Sequence, residues 1–183
     1  MRGIVFTEFV SLVEEKFGVQ MADALLSLPG LTDGGAYTSL GTYPHGEMLT
    51  LVTGLSERTG LPADELCKVF GEWLFAKLAG AYDFAVKPHA DAFSFLASLD
   101  AIIHAEVRKL YPEAELPHVP VTRVDTTTLI MEYRSKRPFA DVAEGLLRGC
   151  LAWYGERADI RREALDGTPA NAARFTLVRR PAR

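Results

Sequence analysis

The apolar residues of this chain change character at a pair of prolines, and that change does most to limit the fold. Before Pro112 and Pro117 they recur at spacings of three and four; after them, short runs rich in Val, Thr and Ile take over. A period near 3.6 lines one stripe of a helix, and a period of 2 lines one face of a strand. The expectation is α+β: a helical N-terminal two thirds, then a C-terminal antiparallel sheet with an inserted helix, all in a single domain spanning 1–183.

Residues 3–17, GIVFTEFVSLVEEKF, place Val5, Phe9, Leu12 and Val13 on one face and Glu8, Glu14 and Glu15 elsewhere, with Gly18 as the stop. MADALLSL (21–28) predicts a short helix closed by Pro29-Gly30. TDGGAYTSLGTYPHG (32–46) has loop composition, with Tyr37, Leu40 and Tyr43 expected to anchor it to the core. Helices are predicted at 46–59, ended by Gly60, and at 62–80, with Pro62 in the first turn. The second of these carries Leu66, Val69, Phe70, Trp73, Leu74 and Leu78 around much of its circumference and should be deeply buried. Residues 89–111 read as the longest helix. Strands follow at 119–124 and 127–135, a helix at about 138–154, and strands around 158–162 and 173–179, separated by the turn-forming LDGTPAN.

Composition narrows the function. Hydrophobic residues make up 48% and charged residues 24%, enough apolar mass for a sizeable core. The net charge is -4, and the basic residues closest to a cluster, Arg179, Arg180 and Arg183, read as a solvated end, so no nucleic-acid partner is expected. No apolar run reaches the roughly 18 residues a membrane span needs, and Glu8 interrupts the first apolar stretch, so neither a membrane nor a signal peptide is expected. The cysteines, Cys67 and Cys150, read as buried structural thiols in a cytoplasmic chain. Motifs of nucleophilic, phosphate-binding and zinc-dependent enzymes are missing, and His45, His89, His104 and His118 are scattered, so no enzyme and no zinc site is expected.

Two arrangements carry chemistry. In LDAIIHAEVRKLYPEAELP (99–117), a helical wheel puts Phe93, Ala97, Asp100, Arg108 and Tyr111 within about 40° of His104. A neutral imidazole there can offer one nitrogen to a metal while the other is held by a hydrogen bond; it equally suits a residue on the polar edge of a helix. In LIMEYRSKRP (129–138), strand alternation puts Leu129, Met131, Tyr133, Ser135 and Arg137 on one face, running from apolar to a row of three donors. Such a row can grip carboxylates on a hydrophobic body, and it also suits a strand leaving the core for water. One ligand satisfies both arrangements, heme, with iron for the imidazole and two propionates for the donors.

At this point the residues resemble a known family. DAIIHAEVRKLYPEAELP, the Tyr133-Arg-Ser135-Lys-Arg137 motif, the opening MRGIVF, the loop GAYTSLGTYP and FGEWLFAKL are similar to the H-NOX (heme nitric oxide/oxygen binding) domain, over nearly the whole chain. The resemblance implies heme b, with His104 as the axial iron ligand and Tyr133, Ser135 and Arg137 on the propionates. It implies Pro117 pressing on the porphyrin, and a distal wall from Ile4, Val5, Phe9, Leu74, Leu78, Val142 and Leu146. Oxygen-binding members carry a distal tyrosine five residues beyond the motif's arginine, where this chain has Val142; a second polar distal position falls on Leu74. The implied function is a sensor that binds NO and CO, discriminates against oxygen, and signals through loss of the His104–iron bond to a histidine kinase or a cyclic-di-GMP enzyme. A cofactor-free interaction domain and a redox sensor remain as alternatives.

Overall fold

The structure, a computed structural model, describes residues 1–181 except 111, 113, 114 and 166, and omits the side chains at 102, 103, 106, 107 and 110. Tyr111 and Arg183, both singled out in the sequence, lie outside the described residues, as does Asp166 of the last predicted turn. The helical part comprises α1 (Gly3–Phe17), α2 (Val19–Leu26), α3 (His45–Thr59), α4 (Ala63–Ala81), the single turn α5 (Asp83–Val86), α6 (Ala92–Ser98) and α7 (His104–Leu110). The sheet part comprises β1 (Val121–Arg123), β2 (Thr128–Arg134), α8 (Ala140–Trp153), β3 (Ala158–Ala164) and β4 (Ala172–Arg179). The strands form one antiparallel sheet in the order β1-β2-β4-β3. The expected α+β order therefore holds, with the change of period at the prolines as the boundary.

Local chemistry explains the ends. Gly60 takes φ 72°, the left-handed conformation that lets α3 stop, and its N–H closes on the Ser56 carbonyl. Pro62 stands just outside α4, at the cap rather than in the first turn. On α1 the buried stripe is Phe6, Phe9, Leu12 and Val13; Val5 is half-buried, and Phe6, outside the predicted face, is fully enclosed.

Four expectations are corrected. Leu40 is 78% exposed and anchors nothing; Tyr43 does that work, with its hydroxyl accepting from the Thr38 N–H and its ring against Phe6. Val69 is 47% exposed, on the solvent side of α4. Arg179 is no solvated end: it closes β4, pairs with Asp91 and Glu156, and lies 4.1 Å over the Phe93 ring. The predicted helix 89–111 is broken into α6, a π turn and α7, which leaves α4, at 19 residues, as the longest element.

The apolar residues collect into two clusters. The helical one holds Phe6, Phe9, Leu51, Leu55, Phe70 and Leu74; the sheet one holds Phe93, Leu129, Met131, Phe175, Leu177 and Leu147. Helix α8 serves both, giving Val142 to the first and Leu147 to the second, while Leu146 packs against each. It reaches α4 through glycines: a Cβ on Gly145 would stand 2.1 Å from the Lys68 carbonyl oxygen. Both cysteines are buried, as expected. Among the described residues, no helix is long and apolar enough to cross a membrane.

One buried charge ties the 32–43 loop to α3. Glu47, 7% exposed, accepts hydrogen bonds from the Thr32 hydroxyl and the Tyr37 phenol. Burial acts to raise its pKa, but those bonds outweigh it and hold the carboxyl below the usual carboxylate range. A folded-state pKa below the unfolded one gives stability that is complete above the unfolded value, about 4.3, and lost as pH falls through the folded one. Thermal unfolding of the wild type should therefore weaken more steeply below about pH 4 than that of Glu47→Gln, which should be the less stable protein at neutral pH. Parallel acid profiles for the two would exclude the role.

Candidate functional site

The helix bearing His104 begins at Asp91, whose carboxylate caps α6 by accepting from the Ser94 N–H at 2.7 Å. After Ser98 the backbone widens into a π turn, Leu99–Ile103, and the N–H of His104 reaches back five residues to the Leu99 carbonyl. Such turns are rare and frequently stand at functional sites. The extra residue breaks the constant 100° step, so Phe93 and Ala97 do not share a regular stripe with His104; Phe93 is buried in the sheet-side core. Arg108 is exposed and lines a cleft.

Asp100 does hold the ring. Its Oδ1 is 2.8 Å from His104 Nδ1, and its Oδ2 accepts from the Val119 N–H at 3.2 Å and pairs with His118 Nδ1 at 3.0 Å. A carboxylate only accepts, so the ring proton sits on Nδ1 and the Nε2 lone pair is left over. Among the described residues Nε2 has no hydrogen-bond partner, and the His104 side chain is 15% exposed. Burial would raise the Asp100 pKa, but the hydrogen bonds from His104 and from the Val119 N–H outweigh it and hold the carboxyl down.

The donor row begins in β2 and outlasts it. Leu129, Met131 and Tyr133 point into the core; the strand ends at Arg134, so Ser135 and Arg137 owe their positions to a turn rather than to alternation. Ser135 is fixed by its N–H to the Asn171 carbonyl, 2.9 Å, and its hydroxyl accepts from the Arg137 N–H at 3.0 Å. The buried Tyr133 phenol is raised by burial, an effect opposed by its hydrogen bond with Ser135. Arg137 and Lys136 both reach the exposed Glu115 carboxylate, at 3.0 and 3.5 Å.

These groups open onto a cleft of about 520 Å³ whose lining includes Arg108, His118, Arg134, Ser135, Lys136 and Arg137, with Glu115 as its acid. Tyr133 is not in the lining and reaches it through Ser135. His118 also pairs in backbone with Arg134, so one residue joins the cleft to the Asp100–His104 pair. Pro117, half-buried, directly precedes it. On the helical side, Val5, Leu74, Leu78, Val142 and Leu146 meet in one apolar cluster, where Leu74 and Val142 are buried. Phe9 is buried there too, edge-on to Phe70. Ile4 is half-buried at the start of α1, its N–H on the Ser39 carbonyl, and does not join that cluster.

Sequence reasoning missed His118 and Glu115. Asp100 was visible four residues before His104, but the pairing of residues 100 and 118 crosses the proline-broken stretch, and no local pattern marks it.

The donor set fits heme: one imidazole nitrogen with an unused lone pair, a cationic cleft that already grips a carboxylate of its own chain, and a separate apolar wall. In sequence the chain matches the family described as Haem-NO-binding over residues 2–162, and it belongs to that family of heme-binding sensor domains, the H-NOX proteins. Its fold is similar to that of the Fe(II) unliganded H-NOX protein from K. algicida, at 35% identity and TM-score 0.92, covering 100% of this chain and 98% of that one. The S. oneidensis H-NOX protein in the Fe(II)NO ligation state is 27% identical at TM-score 0.91, with 99% and 100% covered. The IWP-051-bound H-NOX from Shewanella woodyi in the Fe(II)CO ligation state is 40% identical at TM-score 0.84, with 99% and 95% covered. No curated protein matches the chain.

Proposed function

We propose that this chain is a heme b sensor that takes NO, and CO, at ferrous iron, discriminates against oxygen, and passes the signal to a partner protein. The observation that carries the reading is His104, whose ring is held at Nδ1 by Asp100 and keeps Nε2 for a metal. Bound heme would supply an iron that can take a small gas. His104 would hold that iron, and Tyr133, Ser135 and Arg137 would hold the propionates, in the manner in which Arg137 holds Glu115. Pro117, half-buried beside His118, would lie against the porphyrin. Val5, Leu74, Leu78, Val142 and Leu146, which share one apolar cluster, would make the gas-side wall. Ligation states of similar chains with NO and with CO support the choice of gases.

Selectivity follows from what that wall withholds. Bound oxygen carries partial negative charge and needs a hydrogen-bond donor, whereas NO and CO need far less help. Val142 and Leu74 offer none, and both are buried. His104 would couple the group to the π turn and α7, so a change in how firmly the imidazole is held would bias that segment between two populations that a partner can read. A histidine kinase or a cyclic-di-GMP enzyme in the cytoplasm is the expected partner. A thiol-based redox sensor is the weaker alternative: burial pushes Cys67 up to about 12 and raises Cys150 as well, leaving little thiolate to react.

The absorption spectrum of the ferrous protein, alone, with NO and in air, tests the reading. A Soret band that shifts with NO and CO but gives no lasting oxygen spectrum in air is expected. Protein that stays colourless after heme is supplied would overturn the sensor, and a stable oxygen spectrum would overturn the selectivity.

A further inference from the structure

Resting on that reading, we propose that Asp100 is a positioning residue that sets the donor strength of His104, and so how firmly the imidazole is retained when a gas binds opposite it. Two observations converge on this carboxylate. It meets His104 Nδ1 at 2.8 Å from one turn earlier, across the π turn that brings the two residues together. Its other oxygen is fixed from a separate segment, by the Val119 N–H at 3.2 Å and His118 Nδ1 at 3.0 Å, so it cannot swing away with the helix.

An anionic acceptor at Nδ1 does more than orient a ring. It draws the Nδ1 proton towards itself and leaves more electron density on Nε2, which raises the basicity of the ligand. A backbone carbonyl or a water in the same place would fix the tautomer with a weaker pull. Asp100 therefore strengthens the bond whose loss is the signal, and the sensor's threshold lies in this pair as well as in the gas-side wall. Val119 and His118 link the same carboxylate to the segment entering β1 and, through the His118–Arg134 bridge, to the end of β2.

Asp100→Asn separates charge from shape, because the amide keeps an acceptor oxygen at nearly the same place and loses only the anion. In the ferrous holoprotein the iron–imidazole stretching band should move to lower frequency and the ferric/ferrous midpoint potential should rise. Under NO, the balance between histidine-bound and histidine-free protein should move at least about ten-fold towards the free form, and Asp100→Glu should restore part of it. In the wild-type apoprotein, ¹⁵N resonances of His104 should report a proton on Nδ1 and none on Nε2, and Asp100→Asn should allow the other tautomer. A holoprotein that holds iron through His104 but shows the same band, potential and NO balance in Asp100→Asn would overturn the proposal. An apoprotein with His104 protonated on Nε2 would overturn it as well, even if Asp100→Asn failed to fold. Wild-type protein that takes no heme would sink the sensor instead, while the apoprotein resonances still decide whether Asp100 holds the ring.

Discussion

Gly145→Ala should destabilise the protein by about 3 kcal/mol or more and lower the melting temperature by on the order of 10 °C. The added methyl would stand 2.1 Å from the Lys68 carbonyl oxygen and 2.8 Å from the Gly71 Cα, atoms of the opposing backbone that no rotamer change can move. Helices α4 and α8 would have to separate along their contact, and that contact sets the spacing between Leu74 and Leu78 on one side and Val142 and Leu146 on the other. Gly71→Ala meets the same seam from the other helix, 2.3 Å from the Val142 carbonyl oxygen. The two substitutions touch, so the double variant should cost less than their sum. Gly80→Ala is the control: nothing lies within 4 Å of its Cβ, and alanine in a helix should gain up to about 1 kcal/mol. Thermal and urea unfolding followed by circular dichroism measures all four; a Gly145→Ala protein as stable as the wild type would mean that the seam is not this tight.

The second large effect is all-or-none. His104→Gly removes the imidazole that Asp100 orients, while glycine leaves the space and the Asp100 carboxylate in place. The ferrous protein should lose the iron–imidazole stretching band and its histidine-ligated Soret position completely. Free imidazole added to the buffer should restore both, because the cavity and its acceptor are still present. The fold should survive, since His104 itself is a member of neither the sheet-side nor the helical cluster. An unchanged spectrum in His104→Gly would assign the iron to another residue and, with it, remove the basis for a signal carried by α7.

The parts of this fold that were legible in the sequence are those governed by one period over many residues. Helix α1 runs over the residues its apolar spacing predicted, and β2 alternates as read, Leu129, Met131 and Tyr133 inward against Leu177, Phe175 and Ala173 of β4. The segment 89–111 was misread because a helical wheel assumes a constant step, and a π turn violates it without leaving a composition signal. Ser135 and Arg137 lie beyond the end of β2, so a turn presents them and not the alternation that the sequence suggests. Leu40 was expected inside because it is leucine, yet an exposed apolar residue in a loop breaks no physical rule. Arg179 was expected outside because it is arginine, yet two carboxylates and an aromatic face give it an interior partner set. Long-range pairing, such as Asp100 with His118, is written in no local pattern at all.

A π turn is a helix carrying one residue more than its pitch can use. Moving that surplus by one position exchanges hydrogen bonds instead of abolishing them, and the residue it passes swivels by about 100° and advances by about 1.5 Å. In this chain the surplus ends where His104 begins, with the Leu99 carbonyl as the last acceptor before it. The backbone thus keeps slack beside the imidazole, so that the ring can turn while α6 stays anchored by its Asp91 cap. A straight helix over the same residues would have to melt a turn to achieve the same displacement.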